Sequence, residues 1–82
     1  MKGYRYWVPA IVVIEAIAAY SKGVELQPDD PPALNNLAWY LATCPEPTLQ
    51  DAARAVTLAQ KAVDRAPQRG SYWNTLGVAR SA

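Results

Sequence analysis

Eighty-two residues and a mass of 9.0 kDa allow one small domain. Half of the chain is apolar and the formal net charge is +1, with eight basic and seven acidic residues. This is the composition of a globular chain without the basic footprint of a nucleic-acid binder. Histidine is absent and Cys44 is the single cysteine, which excludes an intrachain disulfide, an ordinary zinc site and any triad with histidine as base.

Residues 1–9 read as an N-terminal arm. Lys2 and Arg5 precede an apolar run over 7–14, and Ala16-Ile17-Ala18 has small-x-small spacing, the outline of a secretory signal. Pro9 interrupts that run and Glu15 follows it, so the expectation is a cytoplasmic protein. The run is far shorter than the ~20 residues of a membrane-spanning helix, and no membrane partner is expected. Pro9 suits the first turn of a helix, and no proline or glycine follows until Gly23, which predicts a helix over 10–27. Within it, Ile11-Val12-Val13-Ile14 leaves a strand open as an alternative.

Asp29-Asp30-Pro31-Pro32 marks a turn and a helix start, and 33–43 reads as the second helix. Pro45 and Pro47 close it. Thr48-Leu49-Gln50-Asp51 resembles a capping box ahead of a third helix over about 50–65. Pro67 and Gly70 punctuate, and Ser71 is placed to cap a fourth helix over about 72–80.

Shifting the sequence by 39 positions aligns it with itself: Ala16 falls on Ala55, Lys22 on Lys61, Val24 on Val63, Pro28 on Pro67, Asn35 on Asn74 and Leu37 on Leu76. A period in this range, built from a helix–turn–helix unit, means stacked helical hairpins that share a continuous core. Trp73-Asn74-Thr75-Leu76-Gly77 and Ala55, Ala59, Ala62 and Pro67 resemble the signature positions of the tetratricopeptide repeat; Leu34–Ala38 and Ala16, Tyr20, Gly23 and Pro28 repeat them 39 residues earlier. The loop over 44–49 stretches the period beyond the family's usual 34, as in some bacterial members. Ala59 replaces an aromatic, and Arg80 stands where an apolar residue is usual.

The resemblance implies an all-α stack of about four helices in a single domain. It holds a second helix of one repeat (10–27), a complete hairpin (32–66) and the first helix of another repeat (71–82). It implies a non-enzymatic protein–protein interaction module without a cofactor. Two half-repeats lead us to expect that a second copy completes them, in a homodimer formed by exchange of terminal helices; Trp7, Ile11, Val12, Ile14, Trp73 and Leu76 are the apolar residues expected on the associating faces. The alternative is a ligand-free unit of a longer repeat array.

The family's concave groove corresponds here to Asn35, Asn36, Trp39, Ala42 and Thr43, and one repeat later to Asn74, Thr75, Val78 and Ser81. Asn35 and Asn74 are expected to form a short asparagine ladder able to clamp a peptide backbone, and Trp39 to offer an aromatic anchor. The plainer alternative is solvated asparagines and a tryptophan packed on a neighbour. The cations of the family's clamp for acidic tails are not met: Pro32, Asn35, Ser71 and Thr75 stand at their positions. Cys44 at a helix C-terminus is read as a packing thiol, since the dipole there disfavours a thiolate.

Overall fold

The computed structural model describes the backbone of residues 4–44 and 50–82, and side chains within them at position 12 and from 14 onward. Four helices run in chain order: α1 (Tyr4–Leu26), α2 (Pro31–Thr43), α3 (Ala52–Arg65) and α4 (Gly70–Ser81). No strand occurs among the described residues, so the isoleucine–valine run over 11–14 is helical. The result is an all-α stack of four helices.

All four helix starts depart from the sequence expectations, α2 beginning at Pro31 rather than residue 33. α1 begins at Tyr4 rather than residue 10, so the expected arm is largely helix and Pro9 lies inside it. A proline there forfeits only the bond to the Arg5 carbonyl and crowds that carbonyl, and no other helix breaker lies between residues 4 and 9. α4 begins at Gly70, and Ser71 is inside it rather than capping it; the capping position belongs to Arg69. At α3 the cap is Asp51 itself, whose Oδ1 accepts the Arg54 N–H at 3.0 Å; Thr48 lies outside the described residues. Asp30 precedes α2 without a side-chain cap, because Pro31 and Pro32 remove two of the donors a cap would serve.

The 39-residue repeat is written into the backbone. α1 and α3 end at Leu26 and Arg65, and α2 and α4 begin at Pro31 and Gly70. The connecting turns carry the same hydrogen bonds: Gln27 N–H to Gly23 O (2.9 Å) matches Ala66 N–H to Ala62 O (3.0 Å), and Asp30 N–H to Gln27 O (3.2 Å) matches Arg69 N–H to Ala66 O (3.1 Å).

α2 is the central element. It packs against α1, α3 and α4, most extensively against α3, whereas among the described residues α1 packs on α2 alone. The core joins Leu34, Leu37 and Leu41 of α2 to Ala55, Ala59 and Ala62 of α3 and to Tyr72, Leu76 and Ala79 of α4. Alanines at i, i+4 and i+7 keep one face of α3 flat enough for close approach. One layer differs between the two repeats. Tyr20 of α1 stacks on Tyr40 of α2, with ring centroids 5.6 Å apart; the corresponding pair 39 residues later is Ala59 and Ala79, both buried. Both members change together, so where α1 and α2 carry a ring stack, α3 and α4 carry two small buried residues of the common core. Arg65 at the end of α3 reaches Asp29 in the first turn, Nη2 to Oδ1 at 2.6 Å, with Lys61 Nζ 3.9 Å from the same oxygen.

The loop that joins α2 to α3 is tied back where it enters α3. Asp51 N–H donates to Leu41 O at 3.1 Å, and Gln50 Nε2 donates to Ala42 O at 2.9 Å. The Asp51 carboxylate therefore caps α3 while its backbone anchors the loop. Asp51→Ala is expected to lower stability by about 1 kcal/mol and Asp51→Asn by much less, as read from urea denaturation midpoints.

Candidate functional site

The repeat allows α2 and α4 to be compared position by position. Leu34, Leu37, Ala38, Leu41 and Ala42 of α2 are all buried. Their counterparts on α4 are Trp73, Leu76, Gly77, Arg80 and Ser81, and of these only Leu76 is buried. Leu34 is 0% exposed and Trp73 is 50% exposed. The cause is the set of neighbours. α1 stands to α2 as α3 stands to α4, but around α4 no described helix takes the places that α3 and α4 take around α2. The strip Trp73–Gly77–Ser81 is therefore exposed at the register positions that α2 buries against α3 and α4.

That strip forms one wall of an open groove of about 670 Å³. From α4 come Trp73, Asn74, Gly77, Val78, Ser81 and Ala82, and the opposite rim is Ala42 of α2 with Gln50. The Gln50 amide is fixed there by its bond to the Ala42 carbonyl. Trp73 is held by its indole, whose Nε1 donates to Pro67 O at 2.8 Å, so its ring faces solvent in a fixed orientation. Arg69 lies over the Tyr72 ring, 5.4 Å from its centre, and stiffens the entry to α4. Arg80 Nη2 donates a long 3.4 Å bond to Gln60 Oε1 of α3.

Of the residues expected in a concave peptide groove, Asn74, Val78, Ala42 and Ser81 line this one, whereas Asn35, Asn36, Trp39 and Thr43 do not. Thr75 is buried, and its hydroxyl donates to the Ser71 carbonyl. The two asparagines do not form a matching ladder. Asn74 is exposed, whereas the Asn35 Oδ1 is shut off from solvent without a hydrogen-bond partner. Trp39 is 38% exposed, and its carbonyl accepts the Thr43 hydroxyl at 2.7 Å.

Of the residues expected on associating faces, Trp73 is exposed and so are Val12 and Ile14 of α1. Leu76 is corrected: it is 2% exposed and packs in the core cluster with Tyr72 and Ala79, whereas Trp73, on the same side of the helix one turn earlier, is half exposed. The side chains of Trp7 and Ile11 lie outside the described residues. Trp73, assigned from sequence to association, and Asn74 and Val78, assigned to a peptide groove, line one surface. Gln50 and Gly77 were not foreseen. Gly77 was findable as the counterpart of Ala38, but nothing near Gln50 in the sequence marks it.

Cys44 is buried. Among the described residues no cluster of three or more acidic or cysteine side chains is placed to hold a metal ion, and no helix is long and apolar enough to cross a membrane. Comparison with protein-family models, curated proteins and solved structures returned no match.

The contrast between Leu34 and Trp73 is measurable in the free protein. Leu34→Ala is expected to cost about 2–5 kcal/mol, the range for a buried leucine. Trp73→Ala, although it removes a larger side chain, is expected to cost under about half as much in dilute protein, because a half-exposed ring leaves only a partial cavity. Urea unfolding of the two variants below the association range makes the comparison.

Proposed function

We propose that this chain is a non-enzymatic protein–protein interaction module, a tetratricopeptide-like stack that associates with further copies of itself. The observation that carries this reading is the α4 strip: Trp73, Gly77 and Ser81 are open at register positions where α2 is fully covered. Packing surfaces of repeat proteins are stabilised by their neighbours in the stack, so an uncovered one favours whatever supplies the missing helix. The exposed apolar side chains Leu26 on α1 and Trp73 on α4 support the reading, since large apolar groups left in water favour association.

The second reading, a ligand-free unit of a longer array, draws on the same register. The turns between α1 and α2 and between α3 and α4 repeat with identical spacing, so the seat on α4 also suits a following repeat in the same polypeptide.

Light scattering behind size exclusion over a concentration series tests the first reading. The mass is expected to rise above 9.0 kDa with concentration, and Trp73→Glu is expected to return it toward the monomer. A wild-type mass of 9.0 kDa at every concentration, with the fold intact by circular dichroism, would overturn self-association and leave the array reading.

A further inference from the structure

We infer that the association is head-to-tail: α1 and α2 of a second copy dock on α4 as α3 and α4 dock on α2 within one chain. This rests on the self-association reading and fixes its geometry. The occupant follows from the repeat. Shifted by 39 residues, α2 becomes α4, so the two helices that cover α2, α3 and α4, correspond to α1 and α2 of the next copy. The helix needed in the seat is one with the residues of α3. α1 is such a helix, since it carries Ala16, Lys22 and Val24 where α3 carries Ala55, Lys61 and Val63.

α1 also lacks what α3 has. Leu58 of α3 is buried, whereas its counterpart Ala19 on α1 is exposed, because α1 packs on α2 alone. The uncovered sides of α1 and α4 are thus the two halves of one interface, which exists intact between α3 and α2.

A second contact points the same way. Arg65 at the end of α3 reaches Asp29, in the turn ahead of α2. Its counterparts are Leu26 at the end of α1 and Gln68 in the turn ahead of α4. Leu26 is 71% exposed, the most exposed of the large apolar side chains among the described residues. Head-to-tail docking lays it on the Pro67–Gln68 turn, where the half-exposed Trp73 ring is anchored on the Pro67 carbonyl. An ion pair inside the chain is replaced by an apolar contact between chains. By the same register Val12 and Ile14 correspond to Asp51 and Ala53, which the chain turns to solvent, so this docking leaves them uncovered.

Such a contact is heterologous. Each copy keeps one free α1 and one free α4, and the assembly grows as a chain instead of closing as a two-fold dimer. A seat one or two helices wide makes a modest interface, so growth is gradual with concentration.

Site-directed cross-linking with a short bis-maleimide tests this geometry. In a Cys44→Ser background, Leu26→Cys and Gln68→Cys are made singly and together. Head-to-tail docking predicts a ladder of dimers, trimers and higher species for the double variant. It predicts a single heterodimer band when the two single variants are mixed, and no cross-linking of either alone. Ile14→Lys is expected to leave the ladder unchanged. Efficient cross-linking of Leu26→Cys alone or Gln68→Cys alone would overturn the geometry in favour of a two-fold contact. A mass that rises with concentration while the double variant forms no ladder would also overturn it, with self-association itself intact. A mass of 9.0 kDa throughout would remove both.

Discussion

The contact between α2 and α3 is the one on which the rest of the structure depends. α2 brings three leucines, α3 brings alanines at helical spacing, and together they form the largest part of the buried core. Alanine is the best helix former and the smallest side chain that still excludes water from such a contact. It lets the two helices approach closely, while Leu58 and Val63 of α3 fill volume alongside the α2 leucines. α1 and α4 are then added to the two flanks of this pair. The loop between α2 and α3 is held by Asp51 and Gln50 on carbonyls near the end of α2, so the hairpin is tied at its loop end as well as along its length.

The hairpin also sets the limits of the fold. A stacked repeat is covered only where it has neighbours. α2, in the middle, has three of them; α1 has one, and its Val12, Ile14, Ala19 and Leu26 remain exposed. α4 has two, and the strip from Trp73 to Ser81 remains open. Residues of the same kind at the same register are core on one helix and surface on the other. In the proposed function the groove on α4 and the associating face are one surface, the groove being an unfilled helix seat.

The architecture was legible because its signals are periodic and local. The 39-residue shift, with Pro28 and Pro67 in the same frame, located helix ends that the structure reproduces at Leu26 and Arg65. Helix starts were less legible. Pro9 reads locally as a first turn, yet α1 runs through it from Tyr4; Asp51 caps α3, and Ser71 lies inside α4 behind Arg69. Least legible was which side of a helix faces out. Leu76 and Trp73 are three residues apart and both apolar, but the burial of one and the exposure of the other depend on neighbours that no local pattern specifies. Asn35 and Asn74 occupy matching sequence positions, and unequal coverage puts the carbonyl oxygen of the first out of solvent and leaves the second at the groove.

The central claim is that the Trp73–Gly77–Ser81 strip is a helix seat, and Gly77 gives the most direct access to it. A Cβ at this position meets no atom within 4 Å, so Ala is accommodated in the single chain, and the position opens onto the groove into which a larger side chain projects. Ala38, its counterpart, shows that alanine fits beneath a docked helix. The measurement is the concentration dependence of mass for Gly77→Ala and Gly77→Leu, beside the wild type. Gly77→Ala is expected to associate as the wild type does, with a chain about 1 kcal/mol more stable from helix propensity. Gly77→Leu is expected to stay folded and remain at the monomer mass, because its side chain occupies the space the incoming helix needs. Association of Gly77→Leu at wild-type strength would contradict the account.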